Sequence, residues 1–265
     1  YDLVEYHPQF WNQGREKKII HIDFEPAEVE AHYNADVEIV ADIADSLWSL
    51  NEILPDDPIV AEGHYDEFRK TMMDDFNEHG NDETVGSIRP QKALYDVRQA
   101  LGPEDIILSD VGAHKMWIGR YFQCDEPNTC LISNGFCSMG FAMPGAMAAK
   151  MVYPDRRVIA VCGDAGFLMN VQDMETAARR GLNFVTLIWE DCEYGLIKWK
   201  QQNRFDGKHS DLEFNNPDWV KLAESFGCWG KRVEKSVDLA GALEEAFTCG
   251  KPAIVVIPID YSENT

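Results

Sequence analysis

Three aspartates carry most of the chemical content of this sequence, and each directly follows an apolar run: Ser109-Asp110, Gly163-Asp164 and Glu190-Asp191. Around the second, Gly163-Asp164-Ala165-Gly166 offers small residues that permit a tight turn with backbone N–H groups facing outward. Such a turn can receive a phosphate. The carboxylate cannot, because like charges repel, unless a cation lies between the two. Mg²⁺ suits that arrangement, since it takes one or two carboxylates together with phosphate oxygens. A second carboxylate is then wanted at a neighbouring strand end. Asp191 follows Asp164 by 27 positions, the length of one helix plus one strand. A Gly-Asp pair alone is more often a plain strand-to-helix turn with Asp as N-cap; the matching second aspartate turns the reading toward a shared ion.

The elements that must position these residues follow from the pattern of apolar runs. Strands are expected at 18–22, 37–40, 105–109, 157–162, 183–189 and 252–257. Helices are expected to start at 26–28 and to cover 43–54, 64–78, 90–101, 113–121, 138–152, 170–181, 195–202, 217–226 and 237–248. Gly102-Pro103 is a sound helix stop. Strands that are apolar throughout and alternate with helices indicate an α/β, doubly wound parallel sheet. In such sheets ligands bind beyond the carboxyl ends of the strands, where the three aspartates fall. Residues 1–55 read as the tail of a preceding domain, 56–88 as an acidic linker with one helix, and 89–265 as the domain that holds the parallel sheet. The opening Tyr1-Asp2-Leu3-Val4 reads as mid-domain text, so the chain is expected to be part of a longer protein.

The chain has 265 residues and a formal charge of −22, from 46 acidic and 24 basic residues. This balance disfavours nucleic acid and anionic membranes as partners. An anionic ligand would need local positive potential, which a divalent metal supplies. No stretch of about 18 apolar residues occurs. The seven cysteines, at 124, 130, 137, 162, 192, 228 and 249, are odd in number and form no CxxC. A disulfide framework or zinc site is therefore not expected, and a reduced, cytoplasmic setting is.

Gly163-Asp164-Ala165, 24 residues, then Glu190-Asp191 resembles the thiamine diphosphate motif, Gly-Asp-Gly followed at some distance by Asn-Asn. The surrounding text is similar to acetolactate synthases: Ser109-Asp110-Val111-Gly112-Ala113-His114-Lys115-Met116-Trp117, Ile132-Ser133-Asn134-Gly135, Ser138-Met139-Gly140 and Ala142-Met143-Pro144. Val4-Glu5-Tyr6-His7-Pro8 and Ile19-Ile20-His21-Ile22-Asp23 extend it toward the start, and Pro258-Ile259-Asp260-Tyr261-Ser262 resembles the FAD-independent, catabolic type. The resemblance implies a thiamine diphosphate-binding fold preceded by the tail of a Rossmann-like central domain. It implies Mg²⁺ on the Asp164 and Asp191 carboxylates and the Glu193 backbone carbonyl. Ala165 and Gly166 match the diphosphate cradle, and His114 a diphosphate contact, where by itself it would be a helix-start residue. Met139 matches the apolar wedge under the bent cofactor, where by itself it would be core. The Cys137 carbonyl matches the aminopyrimidine acceptor. Asp110, Gly112, Ala113, Ser138, Gly163, Tyr194, Gly195 and Leu196 take cofactor positions, and Leu196, Ile197 and Lys200 the substrate side.

Three departures stand out: Ala165 replaces the third motif glycine, Glu190-Asp191 replaces Asn-Asn, and Trp199 falls one position early for an acceptor-selecting tryptophan, with Lys200 in its place. Trp199 on a helix face and Lys200 in solvent are the plain alternatives. The implied reaction is decarboxylation of pyruvate, or a related 2-oxoacid, and joining of its two-carbon remainder to a second 2-oxoacid to give 2-acetolactate. The family also implies a homodimer or homotetramer with its site at a subunit interface, and an activating glutamate on an N-terminal pyrimidine-binding domain. Glu175 and Glu190 are no substitutes for it, so the chain alone is expected to be inactive. Other thiamine diphosphate decarboxylases or lyases, an inactive cofactor-binding fragment and a generic nucleotide-binding α/β domain remain alternatives.

Overall fold

Two short runs rich in β-branched residues form the first described strands. In this computed structural model, which describes residues 12, 14, 16–27, 34–55, 63 and 65–263, β1 (Ile20–Asp23) and β2 (Val37–Val40) pair in parallel, with Ile20 opposite Val37. Helix α1 (Ile43–Ile53) follows, capped by the Asp42 carboxylate, which accepts from the Asp45 N–H at 3.0 Å. The helix expected from 26–28 and the Val4–Pro8 motif lie largely outside the described residues. These elements belong to a unit ending at His64; a second, larger unit begins at Tyr65.

The larger unit opens with α2 (Asp66–Glu78) and α3 (Pro90–Ala100). The chain then alternates β3 (Ile106–Ser109), α4 (Ala113–Tyr121), β4 (Cys130–Ile132), α5 (Ala142–Val152) and β5 (Val158–Gly163). Two helices, α6 (Asp164–Leu168) and α7 (Asp173–Arg180), lead to β6 (Val185–Glu190) and α8 (Gly195–Arg204). The unit closes with α9 (Trp219–Ser225), β7 (Trp229–Arg232), α10 (Leu239–Thr248) and β8 (Ala253–Pro258). The sheet order is β4-β3-β5-β6-β8-β7, every pairing parallel.

Alternate residues of each central strand feed opposite faces. Ile107, Ile159, Val161, Leu187, Val255 and Ile257 meet Leu94, Val97, Leu243 and Phe247 from α3 and α10. Ile106, Leu108, Ala160, Ile188 and Val256 meet Met143, Met147, Met174 and Ala223 from α5, α7 and α9. Coverage on both faces explains why these strands read as unbroken apolar runs. The expected doubly wound parallel sheet is present.

Several boundaries differ from the sequence reading. Residues 138–141 precede α5 rather than belonging to it. The helix expected at 170–181 is split, because Asp164–Leu168 already turns helically and the chain re-enters a helix only at Asp173. Residues 65–88 were read as linker, yet they lie in the larger unit. Phe76 of α2 is 2% exposed and joins the core, and the Ile88 N–H donates to the Pro258 carbonyl at 2.8 Å.

Candidate active site at the carboxyl ends of the strands

Strands β3, β5 and β6 lie side by side, so the turns that carry Asp110, Asp164 and Asp191 converge at one edge of the sheet. A cavity opens there. Gly112, Ala113 and His114 form one side of its wall, and Gly163, Asp164, Ala165 and Gly166 the floor. Asp191, Glu193, Tyr194, Gly195, Leu196 and Ile197 close the other side, with Met139 from the loop before α5.

Asp164 is 1% exposed and firmly held. Its Oδ1 accepts from the Ala165 N–H at 2.8 Å, and its Oδ2 from the Cys192 N–H at 2.8 Å and the Asn216 amide at 2.7 Å. Burial nevertheless pushes its pKa up, against the pull of those donors. Asp191 is pushed further, to about 7, first by burial and then by the charge of Asp164. Two carboxylates that disfavour each other's ionisation in a low-dielectric wall form a site that a cation stabilises. Glu193 differs: its side chain pairs with Lys198, at 2.8 and 2.5 Å to its two oxygens. That leaves its backbone rather than its carboxylate for a ligand.

His114 is 2% exposed, and its Nε2 has no hydrogen-bond partner among the described residues. Burial drives the imidazole down to about 4, against a smaller opposing pull from a hydrogen bond to the Asp110 backbone. Two glycines make room for the ring. A Cβ on Gly112 would lie 2.6 Å from its Cε1, and one on Gly163 would lie 3.4 Å from the same atom. An unpartnered buried nitrogen in a cavity wall costs roughly 1–3 kcal/mol unless a ligand engages it. The wall therefore fits a diphosphate beside His114 and a divalent cation beside the aspartates. Among the described residues no three His, Cys, Asp or Glu side chains stand together as a ready metal site, so phosphate oxygens would have to complete the coordination, as Mg²⁺ prefers.

Four expected site residues lie outside the wall. Asp110 is fully buried, and its carboxylate accepts from the N–H groups of Val111 at 2.6 Å, Gly140 at 2.9 Å and Ala142 at 3.2 Å. It clamps the loop carrying Met139 to the end of β3. Cys137 sits on that loop with φ +51, its thiol 3.2 Å from the Lys115 Nζ, and Ser138 beside it is exposed. Lys200 is exposed, one turn of α8 beyond Leu196 and thus roughly 6 Å further along the axis. Trp199 lines a neighbouring cavity with Trp117 and Arg120 instead.

The departures from the motif have local explanations. Ala165 lies within α6, where its methyl meets no conformational penalty. Glu190 is directed to other partners: its Oε1 accepts from the Trp219 indole at 2.7 Å, and its Oε2 pairs with Arg232 at 2.6 Å. The sequence reading missed Val111, Trp189, Asn216 and Tyr261. Val111, Trp189 and Tyr261 line the cavity, and the Trp189 ring lies 6.3 Å from His114 and 6.2 Å from Tyr261. Tyr261 stood in a quoted motif, and Trp189 directly precedes Glu190-Asp191, so both were within reach of a reading that weighted aromatic neighbours.

Comparison with known proteins matches residues 110–257 to the family described as thiamine pyrophosphate enzyme, C-terminal TPP binding domain. The chain is similar to an acetolactate synthase of Bacillus subtilis (strain 168), 33% identical over 271 residues, covering 100% of this chain and 46% of the relative. It is also similar to a catabolic acetolactate synthase of Raoultella terrigena, 34% identical over 270 residues, covering 100% and 47%. A probable acetolactate synthase large subunit of Methanococcus aeolicus is 34% identical over 263 residues, covering 92% and 43%. The chain thus spans about half the length of the curated relatives it matches.

Proposed function

We propose, because this chain belongs to the thiamine pyrophosphate enzymes and carries their C-terminal TPP binding domain, that its cavity binds thiamine diphosphate with Mg²⁺ and serves acetolactate synthesis from pyruvate. The observation that carries this reading is that one cavity is lined by His114, whose buried Nε2 has no hydrogen-bond partner among the described residues, and by the Asp164–Asp191 pair. When bound, the cofactor supplies the electron sink for decarboxylating a 2-oxoacid and joining its remainder to a second one. Asp164, Asp191 and the Glu193 carbonyl would hold the metal. His114 would meet the diphosphate. Met139, Leu196 and Ile197 present apolar surface that keeps water from the reacting end. Leu196 and Ile197 line the cavity on the substrate side, and Lys200 lies one turn of α8 beyond Leu196, outside the lining.

The acetolactate synthases among its relatives support the choice of reaction. In this reading turnover needs a further polypeptide region that brings the activating glutamate, and the working form is a cytoplasmic homodimer or homotetramer. Among the described residues no helix is long and apolar enough to cross a membrane. Incubation of the chain with pyruvate, thiamine diphosphate and Mg²⁺ tests these points. The expected result is cofactor binding, seen as a change in tryptophan fluorescence through Trp189, without product from the chain alone. Acetaldehyde or acetate as the product would contradict the carboligase reading. Unaided formation of 2-acetolactate would contradict the need for a further region.

A further inference from the structure

The loop between α8 and α9 brings a side chain to Asp164 from 52 positions away. Its return strand-like segment pairs with the turn after β6: the Tyr194 N–H donates to the Leu212 carbonyl at 3.1 Å, and the Phe214 N–H to the Cys192 carbonyl at 3.0 Å. This pairing delivers Asn216, whose amide nitrogen lies 2.7 Å from Asp164 Oδ2. The same nitrogen lies 3.4 Å from Glu190 Oε1 and 3.3 Å from the Cys192 sulfur. One carboxamide NH₂ thus spans two acceptor-only carboxylates, which fixes its orientation, since a flipped amide would set its oxygen against both anions. The Asn216 oxygen is left buried with no partner among the described residues. Glu190 is itself anchored by Trp219 and Arg232, so the chain of contacts runs Arg232–Glu190–Asn216–Asp164.

We infer that Asn216 is a positioning residue for the divalent cation, acting through Asp164. Together with the Cys192 N–H it fills the in-plane acceptor capacity of Oδ2, while Oδ1 accepts from the adjacent Ala165 N–H; the Asp191 N–H also donates to this carboxylate, and the acceptor capacity that remains is there for a metal. The amide selects which oxygen of Asp164 the ion meets and holds the carboxylate in the rotamer that presents it. Glu190 stands where the motif has a second amide, and its role is to hold Asn216, not to ligate the ion. The inference rests on the cation reading above and adds the residue that orients its ligand.

Mn²⁺, bound to the 265-residue chain together with thiamine diphosphate, is the probe, read by electron paramagnetic resonance. Asn216→Leu should weaken Mn²⁺ binding about 10- to 100-fold, the usual effect of removing a group that orients a metal ligand. It should also change the spectrum of the ion that remains bound, while metal-free thermal melting stays that of the unsubstituted chain. Should Asn216→Leu not fold, Asn216→Ala removes the same amide without filling its space and carries the same expectation. Unchanged affinity with an unchanged spectrum in the folded variant overturns the role of Asn216 and leaves the cation reading standing. Absence of Mn²⁺ binding to the unsubstituted chain overturns both.

Discussion

A neutral imidazole has one N–H, and in His114 the hydrogen bond to the Asp110 backbone takes it, since Nε2 is the unpartnered nitrogen. The tautomer is assigned from that hydrogen bond. Nε2 is then a lone pair in the cavity wall, whereas a phosphate oxygen needs a donor. With a pKa of about 4 set by burial, the ring is neutral before binding. An anion beside it favours the charged form, so binding the diphosphate draws a proton onto His114. The sign follows: the anion raises the pKa of the ring from about 4, so its contribution to affinity grows as pH falls through the raised value and is lost above it. Titration calorimetry at falling pH, in buffers of different ionisation heat, should show a proton uptake that grows toward acid, and His114→Gln should remove that component. A binding enthalpy independent of buffer in the unsubstituted chain would contradict this.

At this scale the sequence was informative wherever the ligand-bearing residues sat at strand ends. Asp164 and Asp191 were legible from their spacing, because a helix plus a strand returns the chain to the same edge of a parallel sheet. Asn216 was not, because its approach depends on the loop pairing at Leu212 and Phe214, which carries no periodic signal. The family resemblance gives Asp110 a cofactor position. Only the N–H groups of Gly140 and Ala142, some thirty residues on, show that its carboxylate is occupied.

Elements place these residues through close packing of backbone against side chain. The turn between β3 and α4 works only if position 112 has no side chain, because a Cβ there would meet the His114 ring at 2.6–2.8 Å. Its φ of 163 is ordinary extended backbone, so the demand is for space, not conformation. Gly112→Ala should displace His114, cost about 1–3 kcal/mol by overpacking and weaken cofactor binding more than Gly241→Ala, where nothing lies within 4 Å. Equal effects in urea unfolding and in cofactor titration would show that the ring has slack.

The same scale explains what was misread. The sequence pattern gives no strand at β4 or β7, the outermost strands of the sheet: β4 is an apolar run of only three residues, and β7 mixes Trp229 and Gly230 with Lys231 and Arg232. The polar stretch 65–88 hides two buried anchors, Ile88 and Phe76, and Phe76 packs against Tyr95 with ring centroids 5.5 Å apart. Phe76→Ala should therefore destabilise the larger unit by about 3–5 kcal/mol. A spacer would give almost no change in the urea midpoint, and that result would return the segment to the status of linker.

For the whole molecule, the pattern of buried strands specified the doubly wound sheet and the edge where the three aspartates gather, because strands covered on both faces must read apolar throughout. It could not specify the strand order, which depends on how each crossover packs, nor the depth of the cavity. The overall charge of −22 sets a further condition. A diphosphate entering a wall that already holds Asp164 and Asp191 meets repulsion from both, and a divalent cation reverses its sign. Cofactor affinity should therefore depend on the metal throughout.

That dependence is the most direct test. Thiamine diphosphate binding to the 265-residue chain would be measured by calorimetry with and without Mg²⁺, and again on Asp164→Ala. The expected result is binding in the presence of Mg²⁺ that is lost without the metal and lost in the variant. Binding that is indifferent to Mg²⁺, or retained by a folded Asp164→Ala chain, would contradict the claim that this pair of aspartates joins the cofactor to the protein through a cation.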